Sequence, residues 1–401
     1  MGTKRLADGS THIGLLELWD ESVTFTSSNR SLMRSHRADI VRRLLWSVEA
    51  VLLVTAFLAA PVGAATRHVA TPQHFGVGIA RCTFVDHSRS VLNYSSRPFR
   101  VLSKSRTLVT EIRYPTQLRA GAPAEVKGAA PVELSGGYPT VVFAHGYDVT
   151  PDTYAALLDA WVRAGFVVVA PIFPDESAFA VAAQHGANTE GDLANEPGDL
   201  VFVTNGVLQA SNDESSACPI VNGLVDPSEI ALAGHSDGAE AVGMLAYDHG
   251  LDPHGVNFAT LRTGISYRSV IILSGAEDTN QSYADEAARP DLLVVQSLAD
   301  QCNPARFGVQ LYDGIHQSNK WFLEFLTAHH LPPFDGADPA AFGVAAALTT
   351  SFLQWSLQGL GSSGGLVNVG DGRPGVARMF VGADGPSLLH VAPVRESCGP
   401  N

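Results

Sequence analysis

Short, uninterrupted apolar runs recur along the chain, and stretches with helical spacing separate them. The runs are Thr140–Ala144, Phe166–Pro171, Ile230–Ala233, Ser269–Leu273, Asp291–Ser297 and Trp321–Leu326. Between them, Tyr154–Gly165 places Leu157, Leu158, Trp161 and Val162 at helical intervals, and further helices are expected near Asp199–Gln209, over Ala239–Tyr247 and over Pro339–Leu357. A strand apolar at nearly every position has to be covered on both faces, which is the condition of a parallel sheet. Alternation of such strands with helices predicts an α/β fold, a mostly parallel central sheet with helices on both sides. Phe75–Phe84 and Leu108–Tyr114 predict an opening hairpin, and the polar, Gly/Ala/Pro-rich stretch Arg119–Gly137 a connection. The Gly-rich tail 359–401 carries strand-like pieces at Ala377–Val381 and Leu388–Val391 that suggest a small appended hairpin.

The first 65 residues fit none of this. Arg34, Arg37, Arg42 and Arg43 precede an apolar run, 44–60, and Pro61-Val62-Gly63-Ala64-Ala65 comes after it with small residues suited to signal peptidase. The run is interrupted by Glu49, and the uninterrupted part beyond that residue is short for a membrane span. A signal peptide cleaved near Ala64/Ala65 is the expectation, with an uncleaved N-terminal anchor through 44–60 as the alternative. Met33 would give a leader of ordinary length. The chain then divides into a leader (1–65), a catalytic domain (66–358) and a C-terminal extension (359–401), destined for secretion or the cell envelope. Cys82, Cys218, Cys302 and Cys398 are an even set, which in an exported protein favours two disulfides in one of three pairings.

Composition narrows the partners. The chain of 401 residues has a net charge of −14 and no basic cluster in its globular part. Nucleic acid is excluded as an expected partner, and so is an anionic membrane surface. No Cys/His spacing suits zinc, so neither metal nor cofactor is expected.

The chemistry concentrates in Gly234-His235-Ser236-Asp237-Gly238, set between the strand Ile230–Ala233 and a helix-forming stretch. A Gly-x-Ser-x-Gly run in that setting is the pattern of a nucleophile elbow. A serine hydroxyl needs a histidine to take its proton and a carboxylate to orient that histidine, and in this motif class the acid and then the histidine come later in the chain. Asp300 follows the strand Asp291–Ser297, with Asp278 as a rival acid after the preceding strand. His329 and His330 both follow Trp321–Leu326; His330 is preferred because it precedes Leu331-Pro332-Pro333-Phe334. An oxyanion needs two preorganised N–H donors. Asp237, after the nucleophile, and Tyr147, in Phe143-Ala144-His145-Gly146-Tyr147 after an early strand, are the candidates. His145, His185, His254 and His316 are expected to be surface or structural. The acidic segment Phe173–Pro197 (with Asp175, Glu176, Glu190, Asp192 and Glu196) and the segment Asp248–Arg268 are expected near the site, the former disfavouring anionic substrates or else simply solvated.

These motifs, together with Arg106–Pro115 and Gly165–Pro171, make the chain resemble an α/β-hydrolase from about Gly76 to Leu357. It is most similar to platelet-activating-factor acetylhydrolase, chlorophyllase and dienelactone-hydrolase-like esterases, a group that also resembles bacterial cutinases. The resemblance implies Ser236 as nucleophile, Asp300 as orienting acid, His330 as base, and Tyr147 and Asp237 as oxyanion donors. Ser at the nucleophile position departs from the Cys of true dienelactone hydrolases. The aromatic residue that polyester hydrolases place near Leu273–Asp278 is missing, which argues against a polymer-clamping cleft. The expected activity is hydrolysis of a small-molecule or lipid carboxylic ester. A cell-envelope acyltransferase with the same triad and a non-catalytic hydrolase-fold binding protein are the alternatives.

Overall fold

The computed structural model describes residues 74–386 other than 95, 119–120, 122–123, 185–189, 214–215, 276–289 and 318. The chain divides into two units, Met1–Thr66 and Arg67–Asn401. The expected leader, with its Met33 start and 44–60 run, lies outside the described residues, as do Asp278, His185, Cys398 and the strand expected at Leu388–Val391.

Twelve strands are formed among the described residues. The first half holds β1 (Gly76–Asp86), β2 (Val91–Asn93), β3 (Arg100–Ser103), β4 (Arg106–Thr116), β5 (Glu125–Lys127) and β6 (Tyr138–Ala144). The second half holds β7 (Val167–Pro171), β8 (Val225–His235), β9 (Tyr267–Leu273), β10 (Asp291–Ser297), β11 (Lys320–Phe325) and β12 (Ala377–Val381). Ten of them form one sheet in the order β12-β11-β10-β9-β8-β6-β7-β4-β1-β5, and β2 and β3 form a separate hairpin. The consecutive pairs from β7 through β6, β8, β9 and β10 to β11 are parallel. β1 and β4 pair antiparallel over their full lengths, so the expected opening hairpin is present with β2 and β3 inserted in its connection. β12 pairs antiparallel with β11 at the sheet edge, so Ala377–Val381 extends the main sheet rather than an independent hairpin.

Side chains on a strand alternate between faces, so each parallel strand supplies two cores. Val141, Phe143, Val168, Ala170, Ala231, Ala233, Ile271, Leu273, Leu293 and Val295 pack with the helices Ala155–Arg163 and Pro339–Gln358. Their neighbours Val142, Ala144, Val167, Val169, Ile230, Leu232, Val270, Ile272, Leu292 and Val294 pack with the helices Glu196–Ser211, Asp237–Tyr247 and Ala305–Gly314. This two-faced burial is the cause of the unbroken apolar runs. The helix Pro339–Gln358 is apolar and long enough to cross a membrane, yet half of its most apolar window is buried. Its apolarity belongs to the core.

Two buried arginines fasten the antiparallel end of the sheet. The Arg106 guanidinium donates to both carboxylate oxygens of Asp192 (3.0 and 2.6 Å) and of Asp199 (2.8 and 2.6 Å). Arg113 donates to Glu111, Glu125 and Asp159 at 2.6–2.7 Å. A Cys82–Cys218 disulfide ties β1 to the segment after Glu196–Ser211. Cys302 is also disulfide-bonded.

Candidate active site

In an open α/β sheet the parallel strands end together, and their carboxyl ends form the crevice in which ligands bind. Here those ends carry His145-Gly146-Tyr147 after β6, Ser236 after β8, Ser274 after β9, Asp300 after β10 and His330 after β11.

Ser236 sits between β8 and the helix Asp237–Tyr247 with φ +55° and ψ −125°. The left-handed φ is unusual for a residue with a side chain and persists only when the surroundings hold it. Two helix amides do so: Ala239 and Glu240 N–H donate to the Ser236 carbonyl at 2.9 and 3.1 Å, while Ser236 N–H donates to the Leu273 carbonyl at 3.0 Å. The flanking glycines are sterically required. A Cβ on Gly234 would lie 2.3 Å from the Gly238 carbonyl oxygen, and one on Gly238 would lie 2.4 Å from the carbonyls of Ala144 and His145. The elbow is therefore pressed against the end of β6.

Gly146 extends that contact, since a Cβ there would meet Ser236 Cβ at 2.9 Å. Tyr147 follows directly and so lies beside the serine. His145 shapes this loop from inside: it is fully buried, its Nδ1 donates to the Gly146 carbonyl at 2.7 Å, and its Nε2 accepts from Phe173 N–H at 3.0 Å. Burial pushes its pKa down to about 4, so the ring is neutral with its proton on Nδ1. The structural role expected of His145 holds.

Asp300 and His330 meet, with His330 Nδ1 2.9 Å from Asp300 Oδ2. His330 is buried, whereas His329 is exposed and faces Gln301. The two neighbouring histidines, of which sequence preferred His330, thus occupy different sides of the loop. Asp300 is almost fully buried and has an acceptor role at both oxygens. Oδ1 accepts from the Cys302 and Asn303 amides at 2.9 Å each, and Oδ2 accepts from Gln296 Nε2 at 3.1 Å beside His330.

Several residues that sequence reasoning passed over complete the site. Gly146 N–H donates to the Tyr154 hydroxyl at 3.3 Å, which bonds His235 Nδ1 at 2.8 Å, and His235 Nε2 lies 3.2 Å from the His330 carbonyl. The hydroxyl, having accepted from Gly146, donates to Nδ1, so Nε2–H of His235 donates to His330. One chain of bonds thereby joins the loop after β6 to the backbone of the candidate base. Burial and the neighbouring His330 push the His235 pKa well below its usual value, in keeping with a neutral relay. Asn303 Nδ2 donates to Ser236 Oγ at 3.4 Å and to the Ser274 carbonyl at 2.7 Å. The variable position of the pentapeptide was the only sequence cue to His235; Tyr154 and Asn303 carried none.

The acidic segment is largely interior rather than solvated. Asp175, Glu176, Asp192 and Glu196 are fully buried. The Glu176 carbonyl accepts from Asp148 N–H at 2.9 Å, next to Tyr147, so the segment braces the loop after β6. As two carboxylates Glu176 and Glu196 have no donor, but sharing one proton they hydrogen-bond to each other. Burial first, then Asp237 at Glu176 and the partner carboxyl at Glu196, raises both well above the usual carboxylate range. Burial likewise lifts Asp237 to about 6, and Ser236 Oγ donates to its Oδ1 at 3.5 Å.

Asp300, Cys302 and His330 bring three potential ligand atoms within 4.8 Å of one another. Cys302 is committed to a disulfide, and the Asp300 and His330 atoms are bonded to each other. The group therefore fits an acid–base pair better than a metal centre.

The sheet order and the turn after β8 are those of the α/β-hydrolase fold. A solved ferulic acid esterase from Streptomyces cinnamoneus matches with a TM-score of 0.52 at 18% identity, covering 76% of this chain and 96% of that one. At that identity the likeness establishes the fold. Residues 101–265 also match the chlorophyllase family model, a span that holds Tyr147, Ser236 and Asp237 and ends before Asp300 and His330. The chain thus has the α/β-hydrolase fold, and its middle part is similar to the chlorophyllase family of ester hydrolases. No curated protein matches the chain.

Proposed function

We propose that this protein is an exported serine hydrolase that cleaves carboxylic esters through an acyl-enzyme on Ser236. The observation that carries the reading is the Asp300–His330 pair at the ends of β10 and β11, on the same edge of the sheet as a serine held in a left-handed conformation after β8. Ser236 Oγ attacks the ester carbonyl carbon while His330 Nε2 takes its proton, and Asp300 keeps the other ring proton on Nδ1. The oxyanion rests on the N–H groups of Tyr147 and Asp237. The alcohol leaves with the proton from His330; water, deprotonated by His330, then frees the acid and restores Ser236. Disulfide-bonded cysteines agree with an oxidising compartment.

The test is Ser236→Ala. The variant is expected to melt like the wild type, to lose hydrolysis of p-nitrophenyl esters and to lose labelling by a fluorophosphonate probe. Retained turnover in the folded variant would overturn the assignment.

A further inference from the structure

Asn303 lies in the loop between β10 and the helix Ala305–Gly314, half-buried and held from both sides. Its N–H donates to Asp300 Oδ1 at 2.9 Å, and its carbonyl accepts from Gln296 Nε2 at 2.8 Å. Its side-chain nitrogen has two donors in a fixed plane. One makes the short bond to the Ser274 carbonyl, 2.7 Å, and the other reaches Ser236 Oγ at 3.4 Å. Ser274 is itself held at φ +46°, a conformation that needs support from its surroundings. A single amide thus connects the ends of β8, β9 and β10, and its second donor is aimed at the nucleophilic atom.

We propose that Asn303 is a further catalytic residue, donating an N–H to Ser236 Oγ whenever that oxygen carries negative charge. The proposal rests on the serine-esterase reading above. Charge develops on Oγ twice. It appears as the Ser236 O–H bond gives its proton to His330 and the C–Oγ bond forms. It appears again in deacylation, after water has bonded to the acyl carbon: the C–Oγ bond breaks, its electron pair returns to Oγ, and His330 returns the proton. A donor fixed beforehand on that oxygen favours its charged form at both moments without reorganisation. In the resting state the same bond occupies a lone pair and leaves the hydroxyl proton for another acceptor. The oxyanion donors Tyr147 and Asp237 serve the substrate's oxygen; Asn303 serves the enzyme's.

Two variants test this, Asn303→Ala and the near-isosteric Asn303→Asp, with circular dichroism and melting to verify folding. Each is expected to lower kcat by about ten- to a hundred-fold with KM nearly unchanged, and to slow fluorophosphonate labelling of Ser236 in step. Asn303→Asp carries a second signature. Its carboxyl donates only when protonated, so its activity relative to wild type should rise as pH falls through the carboxylate range. The protonated carboxyl can also remake the bond to the Ser274 carbonyl, so a brace for that carbonyl alone would show as a melting temperature that rises over the same pH range without a rise in the rate of Ser236 labelling. Wild-type rates of labelling and turnover in folded Asn303→Asp, or a pH-independent ratio to wild type, would overturn the proposal. An unlabelled wild type would instead overturn the serine-esterase reading, which keeps the two failures distinct.

Discussion

At Ser236, backbone strain of roughly 1–3 kcal/mol is held by the helix amides on its carbonyl and by glycines on either side. The same local determinism makes Asp300 testable. Its Oδ1 is claimed by the Cys302 and Asn303 amides, so an Asp300→Asn side chain must turn its carbonyl oxygen toward them. The new NH2 would then face His330 Nδ1 and force the ring proton onto Nε2, the atom that has to accept the serine proton. Asp300→Asn is therefore expected to lower kcat by about three to four orders of magnitude with KM little changed. His329→Ala, at an exposed position, is expected to stay within about two-fold of wild type. Steady-state kinetics on both variants would check the choice of base, and equal losses would contradict it. Ser236, Asp300 and the candidate oxyanion loop were legible in sequence because a turn motif and a strand end mark them. Asn303, Tyr154 and His235 were not, because each acts through a partner distant in the chain and none falls in a periodic pattern.

The parallel strands were legible from their composition because burial on both faces leaves no polar register to obscure. The β2–β3 hairpin and three-residue β5 have mixed, partly exposed faces and no such signature. The acidic segment was misleading in a different way, since its charges look solvated until Arg106 is seen buried against Asp192 and Asp199. The paired Glu176 and Glu196, with Asp175, Asp192 and Asp237 as acidic neighbours, give this element a pH signature. In the folded protein Glu196 keeps its proton at pH values where the unfolded chain has lost it. Folding then takes up a proton, so stability is highest near the ordinary glutamate range and falls as pH rises toward the raised folded value. Glu196→Gln supplies a neutral side chain that does not titrate. The variant is expected to melt with a shallower pH dependence than the wild type as pH rises from the ordinary glutamate range. Parallel melting curves across that range would show that Glu196 does not carry the linkage.

For the molecule as a whole, the β1–β4 side of the sheet and the strand ends of the candidate site are fastened by different means. Cys82 belongs to β1, four places from the elbow strand in the sheet order, and its partner Cys218 follows the helix Glu196–Ser211. The bridge spans 136 residues of chain, and both cysteines are buried in the core that the elbow helix shares. Closing so long a loop removes conformational freedom mainly from the unfolded chain, and losing a native disulfide costs about 2–5 kcal/mol. The strand ends that carry Ser236, Asp300 and His330 are held by the parallel ladder and by their own hydrogen bonds, none of which passes through the bridge. Replacing both cysteines with alanine is therefore expected to lower the melting temperature by several degrees while leaving kcat and KM unchanged well below the melt. The double replacement is a cleaner test than reduction, which would also open the disulfide at Cys302 in the loop of Asp300. A loss of kcat in the folded double variant would mean that the far edge of the sheet positions the site, and that the two ends are not independent.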